Sequence, residues 1–135
     1  MPARSAVDYA VVRSVPRVER EEFINVGVVV HAPALAFLGC AIALDRARLA
    51  QLAPGLAATE LDEIAAHLEA WRAVCAGDAG AGPIAALSPS ERFHWLSAPR
   101  STMLQTSPVH AGVTDDPAAA LDRLYRTLVL PEPRP

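Results

Sequence analysis

Between Phe23 and His31, five of nine residues are β-branched and none is charged or Pro. Leaving such a run in water is costly, and its stiff side chains suit a pleated strand better than a helix. Side chains alternate along a strand, so straight pairing places Ile24, Val26, Val28 and Val30 on one face, with Asn25, Gly27, Val29 and His31 on the other. Two further stretches, Ala6 to Val15 and Ala36 to Leu44, also read as strands. The connector from Pro16 to Glu22 is charged, and Ala32-Pro33-Ala34 is short enough for a hairpin-like return. An antiparallel meander is therefore expected.

Beyond Leu44 the apolar period becomes helical. Asp45 is placed to cap a short helix that ends before Pro54-Gly55. Thr59 and Asp62 approximate a capping box for a longer helix, whose apolar stripe is Leu61, Ile64, Leu68, Trp71 and Cys75. Ser88-Pro89-Ser90-Glu91 combines a capping Ser, Pro at the first helical position and Glu two residues later, and predicts a short helix through Trp95. Asp116-Pro117 repeats that logic for a last helix with Leu121, Leu124 and Leu128 inward, stopped by Pro131 and Pro133. Thr102 to Ser107 is expected to be a fourth strand.

These readings predict an α+β fold: a small antiparallel sheet of three to four strands, covered on one face by helices as a single layer pair. The chain of 135 residues, 52% hydrophobic, is long enough for a core that buries roughly two-thirds of the unfolded surface. It is read as one domain, 1–135, with a flexible link at about 77–83 and a tail at 131–135, because too little chain follows the link for a second core. Folding then requires no cofactor, metal or disulfide. Cys40 and Cys75 fit no CxxC spacing and read as small, inert, buried hydrophobes.

The net charge is −3, and every basic residue is Arg. A GC-rich coding sequence accounts for the arginine, and the interleaved acids argue against nucleic-acid binding. The first ten residues have no apolar leader pattern, and the uncharged run from Phe23 to Leu44 is interrupted by Asn25, His31 and Pro33. A cytoplasmic protein without a membrane span is expected.

Three groups of residues carry a recognisable pattern. Asp8 begins Asp-Tyr-Ala-Val-Val-Arg, and Val18 begins Val-Glu-Arg-Glu-Glu-Phe-Ile-Asn-Val-Gly-Val-Val. Glu91 begins Glu-Arg-Phe-His-Trp-Leu, continuing through Ala-Pro-Arg-Ser-Thr and Gln-Thr-Ser-Pro-Val-His. Together they resemble the bacterial domain of unknown function 3037 family over almost the whole chain, although Asp45 to Ala86 contributes no recognisable motif. The resemblance implies no activity. It does imply genes near HipA-like kinases, and hence such a kinase as a partner.

Two places could carry chemistry. The charged turn with Arg17 and Glu19 leads into Asn25, a polar residue that needs partners if buried, and Gly27, which would let a ligand or backbone approach. The second place gathers donors within a short span: Arg92, His94, Arg100, Ser101, Thr102, Gln105, Ser107 and His110. Arginine forks with adjacent hydroxyls suit carboxylate or phosphate, but the same residue types also tie down irregular loops. A 102–107 strand lying beside the Asn25 strand would merge the two places. Glu63 and His67, with Glu60 a turn earlier, have ligand spacing but occupy the expected wet face, so no metal site is assigned. Ser101, Ser107 and His110 match no nucleophile motif.

The pattern favours a non-catalytic binding or accessory module that acts with a protein partner. The alternative is an enzyme acting on a phosphorylated or nucleotide-like substrate through an Arg/His/Ser pocket. Sheet edges also invite pairing between two copies, so a homodimer is a further expectation.

Overall fold

The computed structural model describes residues 4–132. The valine-rich segment forms β2 (Ile24–Ala32), antiparallel between β1 (Ser5–Ser14) and β3 (Phe37–Ile42), as the expected meander. The outer side of β1 takes two short strands from far along the chain. β4 (Leu104–Thr106) lies beside its C-terminal half, and β5 (His110–Thr114) beside its N-terminal half. Among the described residues the sheet therefore has five strands rather than the expected three to four. β5 carries Ala and Gly between His and Val, a weak strand signal, and its ladder with Ser5 to Tyr9 sets its conformation.

Straight alternation along β2 does not hold. Val12 pairs with Gly27 but Arg13 pairs with Asn25, so Val26 is an extra residue on β2. This bulge shifts the phase of everything that follows. Ile24, Val26 and Val29 join Ala10 and Val12 in one core cluster, whereas Val28, Val30 and Ala32 join Val7 in a second. His31 is on the first side, where its ring stacks on Phe93 with centroids 4.9 Å apart. Gly27 sits at the bulge for a steric reason: a Cβ there would come within 2.9 Å of the Ala41 carbonyl oxygen.

A sheet with two apolar faces needs two covers. Helices α1 (Arg46–Leu52), α2 (Ala58–Ala76) and α3 (Pro89–Leu96) lie in sequence between the meander and β4, and α2 and α3 pack on the first face with Leu49 of α1 in the same core. The last helix, α4 (Pro117–Leu128), closes the second face with Leu121, Leu124 and Leu128. The fold is α+β as expected. Its sheet is sandwiched between helices rather than covered on one face, because β2 has no polar side to leave in water.

Three helix starts follow the sequence reading. Asp45 accepts from the Arg48 amide at 3.0 Å, Ser88 from Glu91 at 3.3 Å and Asp116 from Ala119 at 3.1 Å. α2 differs. It begins after Ala57, whose amide donates to Glu60 at 3.1 Å, so Thr59 and Asp62 lie inside the helix and do not form its cap. Gly77 ends α2 at φ 69°, with the Asp78 amide donating back to the Ala73 carbonyl at 3.0 Å. Pro131 and Glu132 have no regular structure, and the remainder of the expected tail, including Pro133, lies outside the described residues. No helix among the described residues is long and apolar enough to cross a membrane.

Cys75 of α2 is buried in the first core as expected, whereas Cys40 of β3 is only half-buried against it. The neighbouring Cys40 thiol, together with burial, pushes the Cys75 thiol well up, which suppresses its thiolate.

Candidate binding site

An apolar concavity follows from how α2 ends and how the chain returns after α3. Trp71 and Val74 on α2, Trp95 near the end of α3, Met103 and Leu104 entering β4, and Val18 from the β1–β2 turn line a groove of about 580 Å³. Its walls are mostly apolar, and its volume is typical of ligand pockets. Trp95 is 40% exposed, a large aromatic surface left in water. Trp71 is 4% exposed, and its indole N–H is buried without a partner among the described residues. Arg100 also lines the groove, with its guanidinium 4.4 Å over the Trp95 ring.

A second, more polar cavity of about 360 Å³ shares Val18 and Arg100 with the groove. Arg13, Glu21, Phe23, Ser101 and Gln105 are among its other walls. Of the two places singled out in the sequence, the second reaches this cavity through Arg100, Ser101 and Gln105, whereas Arg17, Glu19 and Asn25 of the first line neither cavity. β1 lies between β2 and β4, and Arg13 on β1 faces Asn25 on one side and Gln105 on the other. Arg13 lies 4.2 Å over the Phe23 ring, and its Nε is sealed from solvent without a hydrogen-bond partner among the described residues. The Arg100 guanidinium is pulled below its ordinary range by partial burial, which disfavours the charged form.

Residues 9–129 match the family model described as a protein of unknown function (DUF3037). The chain belongs to this family. The matched span includes every residue lining the two cavities. No curated protein and no solved structure matches the chain.

In this DUF3037 chain, most of the donors expected to meet a ligand are engaged with their own backbone. Arg100 donates to the Leu96 carbonyl at 3.2 Å and to that of Trp95, closing the C-terminus of α3. Thr102 donates to Leu104 and Gln105 to Thr102, both at 2.8 Å. Ser107 is 3% exposed and replaces a ladder bond: its Oγ accepts from the Val11 amide at 2.9 Å and donates to the Pro108 carbonyl at 2.9 Å. Its role is architectural. Arg92 donates to the Leu87 carbonyl at 2.6 Å, and His94 Nδ1 lies 2.7 Å from that of Ser90. His110 packs against Tyr9, centroids 5.1 Å apart, on β5.

The charged turn disperses in the same way. Arg17 pairs with Glu60 of α2 at 3.4 Å, Arg20 pairs with Glu22, and Glu19 is exposed. Asn25 donates its amide to the Leu128 carbonyl at 3.0 Å, satisfying the end of α4 rather than facing a ligand. Of the candidate binding residues, only Arg100, Ser101, Thr102 and Gln105 line either cavity; His67, set aside as a metal ligand, borders the groove as well. Glu63 is exposed, and among the described residues no three His, Cys, Asp or Glu side chains converge as a metal site.

Sequence reasoning passed over Arg13 and both tryptophans as site residues. Arg13 had a usable signal: a lone cation inside Val-Val-Arg-Ser, where half-burial demands a reason. Trp71 had none, because its place in the helical stripe reads as core, and it is core on one side while lining the groove on the other.

Proposed function

We propose that this chain is a non-catalytic binding module that receives a segment of a protein partner in the Trp71–Trp95 groove. The observation that carries the reading is the groove itself. About 580 Å³ of mostly apolar space holds both tryptophans of the chain, one of them 40% exposed. Buried aromatic anchors with an arginine at the rim are the features that dominate the energetics of protein interfaces. The family resemblance supplies the partner to try first, a HipA-like kinase.

The rival reading, catalysis on a phosphorylated or nucleotide-like substrate, needs arginines and a proton-transfer group around one point. Arg92, His94, His110 and Glu19 line neither cavity, and the first two are bonded to backbone carbonyls of their own helix and its approach. This dispersal favours binding over catalysis.

Ala70 is exposed on α2 and lines the groove, so Ala70→Glu places a charge in it without disturbing the core. The wild-type chain should retain the neighbouring HipA-like kinase at micromolar concentration in a pull-down. A70E should lose it while melting within about 2 °C of wild type, as surface substitutions do. No retention of the kinase by the wild-type chain, or equal retention by A70E, defeats the reading.

A further inference from the structure

The polar cavity beside the groove has an imbalance that the fold does not resolve. Among the described residues, neither Arg13 nor Arg100 has a carboxylate within salt-bridge distance; Arg4, Arg48, Arg92 and Arg123 also lack one, but of these only Arg13 and Arg100 border either cavity. Both are half-buried, and both border the same space of about 360 Å³. Removing a cation from water without a counter-charge is unfavourable, and the Arg13 Nε–H is moreover left without an acceptor. Two positive charges against the single Glu21 carboxylate leave one positive charge along the wall. A monoanion balances it, whereas a phosphate dianion would overshoot. A planar carboxylate also matches the fork of a guanidinium.

The cavity shares Val18 and Arg100 with the apolar groove, so one ligand can reach both. We infer that the cavity is a carboxylate site: Arg13 and Arg100 hold an acidic group of the partner segment whose apolar anchor lies against Trp71 and Trp95. This inference rests on the groove being the docking surface. It adds a specificity rule, namely an acidic side chain or chain terminus next to an apolar residue. Arg100 already donates to two carbonyls at the end of α3, so it presents its remaining N–H groups from a fixed position. Arg13 is fixed by the ladder on both sides of β1 and by Phe23 beneath its guanidinium.

The test uses the full chain labelled with 15N and three probes at constant ionic strength: 1-octanol, octanoate and inorganic phosphate. Octanol reads the groove alone. It should shift the indole N–H signals of Trp71 and Trp95. Octanoate should shift the same signals and the Arg13 Nε–H as well, and bind about tenfold or more tightly than octanol, as one charge-assisted hydrogen bond permits. Arg13→Gln should bring the two affinities within about twofold without weakening octanol. Arg13→Lys, which keeps the charge, should retain most of the preference and covers the case in which the Gln variant fails to fold. Equal affinities in the wild-type chain would overturn the carboxylate site and leave the groove standing. No indole shift with either lipid-like probe would overturn both. Tight phosphate binding at Arg13 with no octanoate preference would assign the cavity to a phosphoryl group and overturn the carboxylate proposal.

Discussion

The centre of the sheet and the stretch from Ser97 to Pro108 are ordered by different forces. β2 is held by ladders to β1 and β3 and by apolar packing on both faces, so its backbone groups find partners by periodic pairing. The 97–108 stretch has only three ladder pairs, at Leu104 to Thr106, with one backbone bond on either side of them at Met103 and Ser107, and the rest of it is tied down largely by its own side chains. The difference shows why a cluster of donors in a sequence is ambiguous. The residues that can bind a ligand are the same ones that an irregular segment needs to satisfy itself, and here self-satisfaction has taken most of them.

That contrast can be broken at several points. Gly27→Ala is expected to have the largest effect, at least about 2 kcal/mol in urea denaturation, because the new Cβ would press on the Ala41 carbonyl and Ile42 at the bulge. A loss under 0.5 kcal/mol would mean that the centre of the sheet is not the rigid partner in this comparison. Ser107→Ala strands the Val11 amide beside a proline and should cost about 2 kcal/mol. If it proves neutral, side-chain bonds do not order the outer stretch. Arg100→Ala should cost only about 1 kcal/mol, since the carbonyls it serves at the end of α3 can turn to water.

Acidification sharpens the comparison further. His31 is buried on the first face, near Ser90 Oγ at 3.3 Å from its Nε2, and burial holds its pKa below the ordinary value; Asp8 pulls it up and His94 pushes it down more weakly. The folded state therefore resists a proton that the unfolded chain accepts near pH 6.5. Stability contributed by neutral His31 is present above that pH and declines as pH falls toward the lower folded-state pKa. Measured between pH 8 and 5, the wild-type chain should lose more stability than His31→Gln. Parallel curves for the two proteins would place the acid sensitivity elsewhere.

Much of the fold was legible because its signals are local. Asp45, Ser88 and Asp116 cap helices where a short polar side chain precedes a helical period, and the three meander strands follow from β-branched density. The bulge at Val26 was not legible, since Asn-Val-Gly-Val-Val reads equally well with either phase and only pairing with Val12 and Arg13 selects one. The second helical cover follows from that phase. At the site, Arg100, Ser101, Thr102 and Gln105 were found by chemistry, whereas Arg13 and the tryptophans depend on long-range packing between β1, α2 and β4 that no spacing encodes.

Ser107 and Pro108 divide the outer margin of β1's neighbours into runs of three and five residues. Pro108 has no amide to offer a newcomer, and Ser107 turns its hydroxyl back to Val11, so this margin is a poor template for an added chain. Fibrillar growth along that side would have to begin on five residues, from which Val113 projects at 63% exposure. A stretch rich in binding chemistry is thereby kept next to a sheet without becoming a sticky border.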